Sequence, residues 1–152
     1  NLLVFALISE IPWNLEHTGT LFYPAQNVFF TLFLGYVGLC CIESYRERPR
    51  VQLASLLILV AVALWLNADY GVTGFGLILL LYALREQKIL QAVIGTCFMT
   101  STWVGGLAFI PINLYNGKRG FIRGRVLKYL FYAAYPLHIF LIYLIKKQMG
   151  GF

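Results

Sequence analysis

Acidic side chains are scarce in this chain: 6 Asp and Glu stand against 12 Lys and Arg in 152 residues. Charged residues of both signs make up only 12%, while 60% of the chain is hydrophobic and the mean hydropathy is +0.75. A soluble domain of this length needs a far more polar surface, so that class is excluded. Strands of strict polar–apolar alternation are also missing, which excludes a transmembrane barrel. Cysteine is limited to Cys40, Cys41 and Cys97, all inside apolar stretches, with no CxxC and no metal-ligand spacing. They read as small packing residues, and no metal is expected. The phosphate loop GxxxxGK[ST] is absent, so nucleotide hydrolysis has no support. No internal repeat and no polar second domain interrupt the chain, which reads as one domain over 1–152.

What is present is a series of apolar segments separated by short charged loops. This pattern defines an all-α, polytopic transmembrane helical bundle. The segments are 26–42, 51–66, 73–84, 89–112 and 126–145. Before them, the run from Leu2 reaches Pro12 after about ten residues, too short to span a bilayer. It lacks the basic flank and small-residue cleavage site of a signal peptide. It reads as the second half of a helix whose beginning is missing, and the chain as a C-terminal portion. About five to six membrane segments are expected.

The cations gather in short loops rather than on one soluble face, so nucleic acid is not an expected partner and anionic lipid headgroups are. Loops 14–25 and 67–73 contain no Lys or Arg, whereas 44–50 and 85–88 are rich in them. The positive-inside rule puts the latter two in the cytoplasm. The basic stretch 113–128 belongs on that side only if 89–112 turns back on itself. Gly105-Gly106 and Pro111 interrupt that segment, and a broken or re-entrant pair is the expected reading.

His138 lies near the middle of the last apolar run, directly after Tyr135-Pro136-Leu137. Ionisable groups at that depth are paired or functional, and His is the side chain that exchanges a proton near neutral pH. At ~100° per residue, Lys128, Tyr132, Tyr135 and His138 share one helical face. Pro136 removes the donor that would bond the Tyr132 carbonyl, and a kink is expected there. Glu10 opposes the macrodipole near the end of its helix, so helix energetics do not account for it. It is a candidate partner that orients a histidine or accepts a proton.

Asn27, Thr31 and Gly35 recur at four-residue spacing, with Gly38 three further on. The glycines suit close helix approach, and Asn27 and Thr31 are candidates for hydrogen bonding or substrate contact. Tyr115-Asn116-Gly117-Lys118-Arg119-Gly120 joins a turn dipeptide to two cations, and Arg123 extends the positive field. Exposed amides beside such cations suit an anion such as a phosphate. His17, beside Glu16, reads as a solvated loop residue.

The chain resembles the conjugative pilin acetylase family, the TraX-type membrane proteins. The resemblance rests on Phe5-Ala6-Leu7-Ile8-Ser9-Glu10-Ile11-Pro12, Gln26-Asn27-Val28-Phe29-Phe30-Thr31, Tyr115 through Gly120, and Lys128-Tyr129 through Tyr135-Pro136-Leu137-His138. These four blocks stand in the family's order and cover nearly the whole chain. The resemblance implies a multi-pass protein of the inner (plasma) membrane that transfers acetyl from acetyl-CoA to an amine, a pilin or peptide N-terminus. The family pattern begins with an Asp-His motif and further helices that this sequence lacks. On this reading His138, Glu10 and Tyr135 are the catalytic candidates. Lys118, Arg119, Asn116 and Arg123 would hold the CoA phosphates, and Asn27 and Thr31 would face the substrate. A transporter or channel-like protein, in which 89–112 and His138 line a path, and a non-catalytic assembly factor are the alternatives.

Overall fold

The computed structural model describes residues 2–98, 103–115 and 124–150. Among these it is all-helical, with seven α-helices. They are α1 (Leu2–Thr18), α2 (Val28–Ser44), α3 (Pro49–Leu66), α4 (Gly71–Ala83), α5 (Lys88–Phe98), α6 (Phe109–Leu114) and α7 (Arg125–Gln148). A 3-10 helix, Trp103–Ala108, precedes α6. Among the described residues, α3 and the 23-residue stretch Val126–Gln148 are long and apolar enough to cross a membrane. Only 6% of each such span is fully buried within the protein, so much of their apolar surface is left open. A soluble core helix would bury it.

One correction concerns a helix end. Pro12 does not stop the first helix; α1 continues through it to Thr18. Proline removes one intrahelical bond, but the turn beyond is held from outside. Trp13 Nε1 donates to the Ala25 carbonyl at 2.9 Å, and Asn14 Nδ2 to the Leu21 carbonyl at 2.9 Å. Thr18 Oγ1 adds a bond to the Asn14 carbonyl at 3.0 Å. Pro136, where a kink is expected, lies within α7 as it runs from Arg125 to Gln148.

The core is the α2–α3–α4 unit, where Leu34, Ala63 and Phe75 are buried together. In lipid the surroundings are as apolar as a leucine, so association rests on close packing rather than on escape from water. Gly38 permits it: a Cβ there would stand 3.0 Å from the Phe75 ring. Gly35 faces Ile78 in the same way, so the small residues read from the sequence form the α2–α4 contact.

Residues 88–114 fold back on themselves. Lys88 Nζ donates to the Asn113 carbonyl at 3.1 Å, and Asn113 Nδ2 returns a bond to the Lys88 carbonyl at 3.3 Å. The two ends of the segment therefore meet. Gly106 packs closely against the Thr96 side chain of α5. Phe109 of α6 lies over Gly95 and is 4% exposed.

The loops sort by charge. Glu43 pairs with the Tyr82 hydroxyl, Gln52 Nε2 donates to the Ile42 carbonyl at 3.0 Å, and Lys88 meets Asn113, all at one end. At the other end the Lys- and Arg-free loops touch: Asp69 N donates to the Gln26 carbonyl at 2.7 Å, and Gln26 N to the Asn67 carbonyl at 3.3 Å. α1 and α7 run side by side in the same direction, Phe5 stacking on Tyr132 near their starts and Glu16 pairing with Lys146 near their ends.

Candidate functional site

The face of α1 that meets the start of α2 carries Ala6, Glu10 and Asn14 at four-residue intervals. Asn27 closes this face. It is the N-cap of α2, its Oδ1 accepting from Phe29 N at 3.1 Å. An extended backbone at the cap (φ −67°, ψ 166°) places the side-chain oxygen over the first turn. Its Nδ2 donates both to the Ala6 carbonyl at 2.8 Å and to Glu10 Oε2 at 2.6 Å. All of the polar atoms of a fully buried amide are thus used, and the assignment of its O and N follows from the partners.

Thr31, one turn on and 3% exposed, donates its hydroxyl to the Asp69 carbonyl. Asp69 sits in the α3–α4 turn, where three residues have left-handed backbone: Asn67 (φ 47°), Tyr70 (φ 60°) and Gly71 (φ 42°). Asn tolerates this region and Gly is free in it, but an aromatic residue there is strained. Such strain persists only where the surroundings hold it, and here Thr31 of α2 and Gln26 just before it grip the turn. Asp69 Oδ1 accepts from Tyr70 N at 3.1 Å. Burial raises the Asp69 carboxyl above its ordinary value, opposed by the Tyr70 amide and by the charge of nearby His17.

α7 contributes Tyr135. Its ring meets Phe29 edge-on at 4.8 Å, and its hydroxyl faces the Val28 amide within electrostatic reach of Asp69, Glu10 and Tyr70. His138 follows one turn later, its ring edge-on to Tyr135 at 5.3 Å between centroids. The histidine is exposed on the bundle surface rather than enclosed. Its Nδ1 is 3.0 Å from the Ala134 carbonyl. A carbonyl only accepts, so in the neutral imidazole Nδ1 is the protonated nitrogen and Nε2 the one with the lone pair. Lower on α7, Lys128 stands 6.0 Å from the Tyr132 ring centroid, and that ring stacks on Phe5 at 4.8 Å. The expected stripe therefore packs against α1 and α2 from Tyr132 to Tyr135 and reaches the surface at His138.

Of the residues singled out by sequence, Glu10, Asn27, Thr31 and Tyr135 are brought together, and His138 borders them through Tyr135. Glu10 is tied to Asn27 rather than to the histidine. Asn116, Lys118, Arg119 and Arg123 lie outside the described residues. Asp69 was missed, because its role depends on a backbone contact across 38 residues; its only sequence signal is being the one acid in the cation-free loop 67–73. His17 is also more engaged than a solvated loop residue. Its ring lies between Trp13 (4.1 Å) and Tyr23 (4.8 Å), and its Nδ1 is 2.8 Å from Glu16.

An all-helical membrane protein with a polar cluster at one end of its bundle is the class that fold and site define. The chain belongs to the TraX protein family, whose model matches residues 1–146. The match does not bear out the reading of the chain as a C-terminal portion of the family. Comparison with curated proteins and with solved structures gives no match.

Proposed function

We propose that the protein is a multi-pass acetyltransferase of the inner (plasma) membrane, moving acetyl from acetyl-CoA to an amine such as a pilin or peptide N-terminus. The observation that carries this reading is the convergence of Glu10, Asn27 and Tyr135 from three helices beside a histidine whose Nε2 is available as a base. In the reaction the amine nitrogen attacks the thioester carbonyl carbon. Its proton passes to His138 Nε2, and the Tyr135 hydroxyl donates to the developing oxyanion. The new C–N bond forms as the C–S bond breaks, and the sulfur leaves with the electron pair to be protonated by the imidazolium. Glu10, held by Asn27, keeps the local potential negative and favours that imidazolium.

Lys118, Arg119 and Arg123, with Asn116, are assigned to the CoA phosphates on charge and turn chemistry. They precede α7 in the chain, and the 13 residues from Arg125 to His138 rise ~20 Å along it. The long pantetheine arm is suited to bridging such a separation. Anionic lipid headgroups are the expected surroundings of the basic loops.

The test is mass spectrometry of transfer from labelled acetyl-CoA to a panel of peptide amines, with the protein in membranes. Wild type and His138→Ala are compared after both are shown to insert equally. Label on an amine that disappears in the variant supports the reading. Equal labelling by both keeps the enzyme and removes His138 from its chemistry. No labelling of any amine favours a transport or assembly role.

A further inference from the structure

Leu21, Phe22 and Tyr23 are three large side chains in a row between α1 and α2, and only the last packs on the protein. The Tyr23 ring lies 4.8 Å from that of His17. Leu21 and Phe22 turn away, 72% and 76% exposed. No charged residue stands between Thr18 and Asn27. The backbone beneath the two exposed side chains is nevertheless held by side chains. The Leu21 carbonyl accepts from Asn14 Nδ2 at 2.9 Å, the Phe22 carbonyl from Thr20 Oγ1 at 3.0 Å, and the Ala25 carbonyl from Trp13 Nε1 at 2.9 Å. A loop whose acceptors are met from within can leave water without leaving those groups unpaired.

The same bonds set its depth. Asn14 holds the Leu21 carbonyl, and Thr18 Oγ1 is 3.2 Å from that of Phe22, so the loop folds back beside the last turn of α1. Between those two residues, Glu16 pairs with Lys146, in the last turn of the span-length helix α7. Gln26, at the far end of the loop, bonds to Asn67, which directly follows the α3 span. The last turn of α3 exposes Trp65, and Trp is typical of the boundary between bilayer and water. Leu21 and Phe22 are therefore level with the ends of both spans.

We infer that Leu21 and Phe22 form an interfacial anchor, seated between the headgroups and upper acyl chains of the leaflet on the side of the Lys- and Arg-free loops. A stable protein partner would need ~800 Å² on each side, more than two side chains offer. Lipid contact has no such threshold and grows with the apolar area buried. Without charge, the loop needs no anionic lipid. The anchor stands apart from the acetyl-transfer reading. It sets the depth of the loop that leads into Asn27, and so of the polar cluster that Asn27 closes.

The test is fluorescence quenching of the full chain in phosphatidylcholine nanodiscs. Cys40, Cys41 and Cys97 are replaced by Ala, and a single cysteine is introduced by Phe22→Cys, Leu21→Cys or Glu47→Cys. Each carries the same environment-sensitive dye. Quenching by iodide in the water is compared with quenching by a nitroxide placed high on the lipid acyl chain. The expected result is that the lipid nitroxide quenches both loop positions several-fold more than iodide does, and that Glu47→Cys, in the exposed α2–α3 loop, shows the reverse. Leu21→Cys retains Phe22, so the pair does not depend on one substitution. Stronger quenching by iodide at either loop position would place the loop in water and overturn the anchor. Lipid quenching at Glu47→Cys equal to theirs would also overturn it, because the dye rather than the loop would then set the depth.

Discussion

Asn27 donates a 2.6 Å hydrogen bond to Glu10 Oε2, joining α1 to α2 through two polar side chains within the bundle. The same amide caps α2 and bonds the Ala6 carbonyl, so one residue serves three partners.

Asn27→Ala therefore removes a cap, worth ~1 kcal/mol, and leaves a carboxylate without its donor. A loss of about 2–3 kcal/mol is expected, read as a lower unfolding temperature in detergent. Asn27→Asp keeps the capping oxygen but faces Glu10 with a like charge, and should recover stability only when the solution is acidified.

His138→Ala should leave insertion and stability unchanged, because the side chain is exposed and its hydrogen bond to the Ala134 carbonyl lies within its own helix. Turnover should fall ~10²–10⁴-fold, the usual contribution of a general base. Equal melting curves with unequal acetyl transfer are the expected pair of results.

Asp69 makes stability depend on pH. Burial raises its folded-state pKa above the ordinary 3.8, so the folded protein binds the proton more tightly than the unfolded chain. Stability is then greatest below 3.8 and falls as pH rises from there through the raised folded value, levelling off above it. Unfolding followed across acid pH should show this slope in the wild type and a shallower one in Asp69→Asn.

Gly95→Ala sets a Cβ against the Phe109 ring and should cost ~1–3 kcal/mol, loosening the 88–114 hairpin. Phe109→Leu in the same chain should return part of that loss. Protease access to residues between α5 and α6, followed over time, distinguishes the two.

Lys146→Ala removes the exposed end of the Glu16 pair and should change stability by less than ~1 kcal/mol, and less still in high salt. A large effect in a salt series would mean that the pair is shielded from solvent.

Helix positions from α2 onward were legible because apolar runs and charged breaks set them directly. The small residues Gly35 and Gly38 announced their close contact for the same reason. Pro12 misled because proline chemistry is local, whereas the bonds that carry α1 past it come from Leu21 and Ala25 in the next loop. Glu10, Asn27, Thr31 and Tyr135 stood out as polar groups in apolar company. That they belong to one cluster became visible only once α1, α2 and α7 were packed. Asp69 was invisible for a further reason: it acts through its backbone carbonyl, which side-chain patterns do not report.

The side-by-side course of α1 and α7 also orders events during synthesis. The α2–α3–α4 unit is built from neighbours in the chain and needs nothing downstream to close. Helices that run the same way cannot be joined by a short turn, and Phe5 must wait for Tyr132 until nearly all of the chain is in place. Tyr135 and His138 ride on that late arrival. The α2–α3–α4 packing can therefore form while the polar cluster is still open, and the cluster is completed only when the last helix docks.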